Sequence, residues 1–293
     1  MSYRFIREQQ REYPVRRICQ ALGVSVSGYY AWHKRPVSPR ELANRELVRH
    51  IQAAHQASHQ TYGSPRIHAE LKANGQACSP GRVARLMRLH GIQARRRRRY
   101  KVTTQSQHDQ PVAPNLLKRK FTAERPNQVW LTDITYVPTA EGWLYLAAVL
   151  DLFSRRIVGW SMGSRLKTGL VKDALQMALD RRLPPAQLLH HSDRGSQYAS
   201  ADYQSLLAKH TMQVSMSGAG SCYDNAPMES FFSSLKSERI HHCRYLTRAE
   251  ARHDLFAFIE VFYNRQRRNS SLGYLSPAAF EQRSFELTCT PPN

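Results

Sequence analysis

Hydrophobic and polar positions follow two different periods along the chain, and the change falls at about residue 126. Before it, apolar residues recur every three or four positions in short segments that end at glycine, which is typical of helices. After it, runs with the two-residue period of β-strands come first and helical segments follow. The pattern predicts a helical region over 1–100, a basic linker over 101–125, an α/β domain with C-terminal helices over 126–285 and a tail over 286–293.

The helical region contains two candidates for a helix-turn-helix. In residues 14–34, Gly23 separates two helical patterns, and Ser25 is placed to cap the second. In residues 64–91, two helices each begin with Ser-Pro and end at Gly, the expected asymmetry of helix ends. A further helix is predicted over 41–58. An ordinary helical hairpin explains one such unit about as well, but two of them in one basic region favour DNA binding.

The second region predicts three consecutive strands and then a helix, a strand, a helix, a strand and further helices. Three strands in series indicate an antiparallel meander, and Pro138 is expected to end the first of them. The predicted elements are strands over 128–137, 142–153, 156–162, 188–191 and 213–216, and helices over 168–182 and 201–209. This is the element order of the ribonuclease H-like fold, an α/β class with a mixed five-stranded sheet.

Charge indicates what the helical region binds. The chain holds 43 Lys and Arg against 22 Asp and Glu, a formal net charge of +21. Residues 1–126 carry 25 basic and 7 acidic residues, whereas residues 127–293 carry 18 and 15. An excess this uneven favours a polyanion, most simply nucleic acid, as the partner of the first part. A basic but inert surface is the alternative.

The sequence disfavours secreted and membrane proteins. The opening MSYRFIREQQ lacks the apolar core of a secretory signal. The longest apolar run, Trp143 to Leu150, is far shorter than the ~20 residues of a membrane helix. The five cysteines are scattered without a CxxC pair, which disfavours a disulfide framework or a zinc site. We therefore expect a cytoplasmic protein without zinc.

Three acidic residues on separate elements are candidate metal ligands. Asp133 lies inside the first predicted strand, Asp193 follows the fourth, and Glu229 falls in the first turn of a helix, with 35 residues between it and Asp193. A strand carboxylate is costly to bury unless it is paired or bound to metal, although the helix dipole alone would explain Glu229. Together they fit oxygen ligands for two divalent cations. Asp151 is the main rival ligand, and Asp224 is interpreted as a helix cap.

Two basic segments are candidate DNA contacts. Lys236 lies seven residues after Glu229, about two helical turns, and therefore on the same helix face, where it could contact a phosphate. The alternative is an ordinary surface lysine. The helix that begins at Ser79-Pro80 carries arginines opposite its apolar face, and five consecutive arginines follow it. The predicted DNA contacts are Lys236, Arg82, Arg85, Arg88, Arg95, Arg96, Arg97, Arg98 and Arg99.

Three segments of the α/β region resemble the DDE integrase core of insertion-sequence transposases. They are VWLTDITYV, HHSDRGSQYAS and YDNAPMESFFSSLKSE, and their spacing of acids and lysine is shared with retroviral integrases. YGSPRIHAEL and VARLMRLHGI resemble the helix-turn-helix segment of the second-reading-frame (OrfB-type) product of the insertion-sequence-three family. YNRQRRNSSLGYLSPAAF resembles its C-terminal end. The resemblance covers nearly the whole chain.

The resemblance implies a transposase that cuts and joins DNA by in-line attack on phosphodiesters, with Asp133, Asp193 and Glu229 as catalytic metal ligands and Lys236 as a DNA contact. It implies two Mg²⁺ ions, for which Mn²⁺ would substitute, and DNA at the element's terminal inverted repeats and at the target. It also implies a homo-oligomer on paired ends and a first-reading-frame product that is fused to the chain or assists it. Two alternatives stay open: a helix-turn-helix regulator with a non-catalytic core, and a nuclease of the same fold that does not join ends.

Overall fold

The computed structural model describes residues 2–95, 112–218 and 222–289, and the chain divides into two compact units, Met1–Ala53 and Ala54–Asn293. Within the described ranges, no helix is both long enough and apolar enough to cross a membrane. The helices that begin in the first unit are α1 (Ser2–Gln9), α2 (Val15–Ala21), α3 (Val26–Lys34) and α4 (Pro39–Ala57).

The turn between α2 and α3 follows the prediction from sequence. Gly23 has a φ of +65°, which residues with a Cβ rarely adopt. Ser25 caps α3, because its Oγ accepts a hydrogen bond from the backbone N–H of Gly28 at 2.8 Å. A small core lies between α1, α2 and α3, formed by Ile6, Ile18, Cys19 and Tyr29. The two-helix shape of residues 14–34 is therefore confirmed, and its binding to DNA stays a prediction.

The second unit is an α/β domain with a five-stranded sheet, as predicted. Its strands are β1 (Val129–Thr139), β2 (Gly142–Asp151), β3 (Ile157–Gly163), β4 (Leu189–Ser192) and β5 (Gln213–Met216). Its helices are α5 (Ser64–Ala73), α6 (Pro80–Leu89), α7 (Thr168–Arg182), α8 (Ser196–Ala199), α9 (Ala201–Lys209), α10 (Ala226–Glu238), α11 (Arg248–Phe256) and α12 (Pro277–Cys289). A π-helical segment, Ala257–Gln266, continues α11.

The sheet has the strand order β3-β2-β1-β4-β5. β1, β2 and β3 pair antiparallel, which confirms the predicted meander, whereas β4 pairs parallel with β1 and β5 parallel with β4. Helix α7 makes the crossover from β3 to β4 and packs on β2 and β3 with its predicted apolar stripe. This is the ribonuclease H-like arrangement, and it brings the end of β4 beside the middle of β1.

Helix α7 approaches β3 so closely that one strand position accepts only glycine. A Cβ added to Gly159 would lie 2.2 Å from the carbonyl oxygen of Ala174 and 2.7 Å from both the backbone nitrogen and the Cβ of Ala178. These contacts involve backbone atoms and a Cβ, so no rotation of a side chain relieves them. Gly159 therefore sets the distance between helix and sheet.

The predicted end of the first strand is wrong. Pro138 does not end β1, because the pairing with β2 continues as far as Thr139 opposite Gly142. β4 pairs only with Val129–Leu131, so at Pro138 that edge of β1 has no strand beside it in the sheet. A proline has no N–H to donate to a second neighbouring strand. It is therefore tolerated in β1 at a position where only β2 is paired.

A buried histidine on β4 makes the stability of this unit depend on pH. Burial, with a smaller effect of the neighbouring His191, lowers the pKa of His190 to about 3, and its Nε2 lies 2.9 Å from the hydroxyl of Tyr203. Below pH ~6.5 the imidazole of His190 binds a proton in the unfolded chain but stays neutral in the folded chain. Its contribution to the free energy of unfolding is therefore fully present above that pH and is lost as the pH falls towards 3. The expected loss between pH 6.5 and 5 is about 2 kcal/mol.

Urea unfolding at both pH values would measure this loss. In His190→Gln the stability should depend less on pH by about that amount, because the variant has no proton to gain. The same substitution at His253, an exposed residue of α11, is the matched control. An equal pH dependence in wild type and His190→Gln would contradict the assignment.

Candidate active site

Asp133 lies on β1, and Asp193 directly follows β4, the parallel strand beside it. Leu131 of β1 is paired with His191 of β4, and each aspartate follows two residues further on. Since side chains two residues apart share a face of the sheet, both carboxylates lie on the same face. Backbone N–H groups orient them: Ile134 donates to Asp133 Oδ1 at 2.7 Å, and Gly195 donates to Asp193 Oδ1 at 2.9 Å.

Glu229 reaches the same region from a helix. It lies in the first turn of α10, which begins with Pro in its first turn and packs against β1. The buried Asn225 precedes this helix, and its Nδ2 donates to the carbonyl oxygen of Thr132 at 3.0 Å. That hydrogen bond fixes the start of α10 beside the residue that precedes Asp133.

The carboxylates of Asp193 and Glu229 act electrostatically on Asp133. Burial and then the charge of Asp193 raise the pKa of Asp133 well above its ordinary value, and Glu229 adds to the increase. The hydrogen bond from Ile134 and the positive charge of Lys236 act in the opposite direction. Burial also raises the pKa of Glu229. Asp193 and Glu229 thus lie near enough to Asp133 to raise its pKa, and a bound cation would offset their negative charge.

Lys236 lies at the same place, on the face of α10 that carries Glu229. Its Nζ is 5.2 Å from the centroid of the Tyr136 ring on β1, within the range of a cation–π contact. Burial lowers its pKa, while Tyr136 and Asp133 act against that decrease. Tyr198 also lies near the two aspartates. Burial, and then the charges of Asp133 and Asp193, raise the pKa of its hydroxyl. Sequence reasoning missed Tyr198 and Asn225, because neither carries a charge or a distinctive spacing.

The donor set suits a divalent cation chemically. Carboxylate oxygens are the ligands that Mg²⁺ and Mn²⁺ prefer, and a bound cation would offset the negative charges of Asp193 and Glu229 that act on Asp133. Among the described residues, however, no three His, Cys, Asp or Glu side chains are placed so that they could hold a metal ion together. The fit therefore rests on the donor chemistry and on the charge coupling.

The rival ligand Asp151 has a structural role. It is fully buried, and its carboxylate accepts backbone N–H groups of Asn127 at 2.6 Å, Phe153 at 3.0 Å and Ser154 at 3.2 Å. Burial raises its pKa. These partners hold the turn between β2 and β3 and the entry to β1, so its oxygens are already occupied by backbone donors.

The predicted helix cap at Asp224 is also wrong. α10 has no side-chain cap, and the buried carboxylate of Asp224 instead accepts Asn115 Nδ2 at 2.8 Å, Arg119 Nε at 2.8 Å and the N–H of Gly218 at 2.9 Å. It therefore joins the segment before β1 to the loop that leads to Glu229. The sequence around Asp224 could not predict this role, because its partners Asn115 and Arg119 lie more than a hundred residues earlier in the chain.

The predicted DNA-contacting arginines of α6 lie opposite its buried face. Arg85 and Arg88 are exposed and Arg82 is half-buried. The apolar side of the helix is formed by Val83, Leu86 and Met87. Arg95 is described and donates its backbone N–H to Gln60 at 2.9 Å. The predicted contacts Arg96, Arg97, Arg98 and Arg99 lie outside the described residues.

Comparison with protein families places this site in a known class. An integrase core domain model matches residues 123–222, and a second integrase core domain model matches residues 229–285. A helix-turn-helix-like domain model matches residues 41–100, which contain most of α4 and all of α5 and α6. Fold and site thus define a polynucleotidyl transferase of the DDE integrase class with a helix-turn-helix-like region before it.

Curated relatives are similar over nearly the full length. The chain is 46% identical over 270 residues to the insertion element IS600 uncharacterized 31 kDa protein of Shigella sonnei, covering 92% of this chain and 99% of that protein. It is 45% identical over 287 residues to the transposase InsF for insertion sequence IS3A of Escherichia coli K12, covering 97% and 100%. The chain belongs to the transposases of the insertion-sequence-three family, and DNA is its partner.

Among solved structures, a chain of the simian T-cell lymphotropic virus intasome in complex with PP2A regulatory subunit B56 gamma is similar with a TM-score of 0.46 and 15% identity. The match covers 83% of this chain and 76% of that one.

Proposed function

We propose that Asp133, Asp193 and Glu229 form the catalytic site at which this transposase cuts the ends of its element and joins them to DNA. The effect of the charges of Asp193 and Glu229 on Asp133, on the strand that contacts both β4 and α10, is the observation that carries the proposal. In each step an oxygen nucleophile, water or a DNA 3′-hydroxyl, would attack a phosphodiester in line. One P–O bond forms as the opposite one breaks, and the departing 3′-oxygen keeps the electron pair.

We assign a separate role in this reaction to each group of residues at the site. The three carboxylates would hold two divalent cations, Mg²⁺ or Mn²⁺, which when bound supply Lewis-acid activation of the attacking oxygen and neutralise the departing one. Backbone N–H donors from Ile134 and Gly195 orient the two aspartates before substrate arrives. Lys236, with its ammonium at the rim of the same site, would contact a DNA phosphate.

The DNA would be the terminal inverted repeats of the element together with the target. We propose that a homo-oligomer acts on paired ends and that the first-reading-frame product, fused to the chain or beside it, raises activity. The helix-turn-helix-like region, with Arg82, Arg85 and Arg88 on its outer face, would supply contacts to the repeats.

A strand-transfer assay with labelled element-end DNA and Mg²⁺ tests this function. The expected result is a joined product, weak from the isolated chain and stronger from the chain fused to the adjoining reading frame. Cleavage without joining, on DNA of any terminal sequence, would indicate the nuclease instead. Binding without any product in either format would overturn the proposal in favour of the regulator.

A further inference from the structure

A second polar site lies on the flank of α10. It is a pocket of about 280 Å³, lined by residues at the start of α5 and just before it, by one side of α10, and by the π-helical segment and the residues that follow it. Arginines and hydroxyl groups dominate its lining, with one carboxylate from Glu238 among them. The basic lining residues are Arg66, Arg95 and Arg267.

The pocket is lined by more positively charged side chains than negatively charged ones. Glu238 accepts both Arg267, at 2.6 and 2.7 Å, and Arg66, at 3.3 Å. The side chains of Arg267 and Glu238 are almost fully buried. One mostly buried carboxylate therefore faces two mostly buried guanidinium groups, and the exposed Arg95 adds a third positive charge to the same lining. Because a buried charge without a counter-charge is costly, the excess of guanidinium over carboxylate at Glu238 favours an anion in the pocket.

The pKa of Arg66 agrees with this excess, whereas hydrogen bonding to Glu238 keeps the pKa of Arg267 raised in spite of its burial. Burial, and then the neighbouring charge of Arg267, lowers the pKa of Arg66 even though Glu238 lies beside it. An arriving anion would remove that repulsion.

The pocket and the carboxylate site are connected by one helix. Ser230, Ser234 and Ser237 line the pocket at helical spacing, so they form a row along α10. Glu229 and Lys236 form another row, about 100° around the same helix axis. Along the axis, Glu229 and Ser234 are separated by about 7.5 Å at the rise of an α-helix. At ~3.4 Å of rise per nucleotide, a DNA strand covers that distance in about two or three nucleotides.

We propose that this pocket binds a backbone phosphate of the DNA strand whose reacting end lies at the carboxylates. The inference rests on the proposed function, because it takes the carboxylate site as the place where that strand ends. Guanidinium groups and serine hydroxyls are the donors that commonly hold a phosphodiester, and they fix its position without reading the sequence. The pocket thus sets how far the DNA end extends into the site.

Two substitutions test the pocket without disturbing the buried ion pairs. Arg95→Gln removes a lining charge, with Arg283→Gln on the exposed side of α12 as its control. Ser270→Asp adds a negative charge at an exposed lining residue, with Ser270→Asn as the neutral control of similar size. Binding of the full chain to element-end DNA would be measured across a range of salt concentrations.

Arg95→Gln should weaken binding about eightfold at 0.1 M salt and reduce the salt slope by about one, since each neutralised phosphate contributes ~0.9 to that slope. Ser270→Asp should act in the same direction, and both controls should bind as wild type does. Unchanged affinity in Arg95→Gln and Ser270→Asp would overturn the proposal. A loss of affinity for inorganic phosphate alone, with DNA binding intact, would overturn the assignment to DNA.

A scan with neutral methylphosphonate linkages locates the phosphate. One neutral linkage, about two to four nucleotides from the reacting end, should weaken wild type but cause no further loss in Arg95→Gln. Additive losses at every linkage would contradict a contact at this pocket. The two proposals fail separately, because DNA affinity reports on the pocket and strand transfer by Glu229→Gln reports on the carboxylates.

Discussion

Glu229→Gln is expected to reduce strand transfer roughly 10³-fold while DNA binding stays within about twofold of wild type. The amide keeps the shape of the side chain but removes the negative charge that we propose as a cation ligand. A loss of about 4 kcal/mol in stabilisation of the transition state corresponds to that factor. Gel-based measurement of the joined product and fluorescence anisotropy of labelled DNA would give the two quantities.

A second measurement separates a ligand role from a structural one. Mg²⁺ should raise the melting temperature of wild type, because a bound cation offsets the repulsion that raises the pKa of Asp133. In Glu229→Gln that increase should be much smaller. Asp202→Asn, at an exposed carboxylate of α9, is the matched control and should resemble wild type in both assays. Equal joining by wild type and Glu229→Gln would show that Glu229 is not part of the catalytic site.

Gly159→Ala is expected to destabilise the α/β unit by about 3 kcal/mol, because a methyl group at this position overlaps backbone atoms of α7. The helix must move away from β3, and the apolar contacts between them weaken. For a unit of this size the melting temperature should fall by roughly 6–12 °C. Calorimetry or thermal unfolding followed by circular dichroism would measure the change.

Gly169→Ala tests the same chemical change where space exists. Gly169 lies in the first turn of α7, and an added Cβ would meet nothing within 4 Å. This variant should gain about 0.5 kcal/mol, since alanine restricts the unfolded chain and favours helix. If Gly159→Ala unfolded at the same temperature as wild type, the close approach of α7 to β3 would not exist in solution.

The elements of the α/β unit could be predicted from sequence because their hydrophobic periods are regular. The predicted helices over 168–182 and 201–209 and the strand over 213–216 agree with the structure to the residue. The prediction at Pro138 was wrong, since a proline ends a strand only where a neighbouring strand needs a hydrogen bond from its N–H. Whether β4 extends along β1 as far as Pro138 cannot be predicted locally, because β4 lies about fifty residues further along the chain.

The candidate site was predictable only in its charges. Asp133 stands inside a strand, where a carboxylate is unusual, and Asp193 and Glu229 are marked by their spacing and by their resemblance to an integrase core. Asp151 looks equally unusual in the sequence, and only its backbone donors in the folded chain explain it. Residues whose roles depend on distant partners could not be predicted, because no local pattern records such pairs. They include Asp224, Asn225, Glu238 and Arg267.

During synthesis, β1, β2 and β3 can pair as soon as they leave the ribosome, since each lies next to its partner in sequence. β4 reaches β1 only after the whole of α7 has been made, and Glu229 emerges later still with α10. The helices of residues 2–95 precede all of them. The helix-turn-helix-like region is therefore complete first, so a nascent chain can bind DNA through that region before the carboxylate site and the pocket beside it have formed.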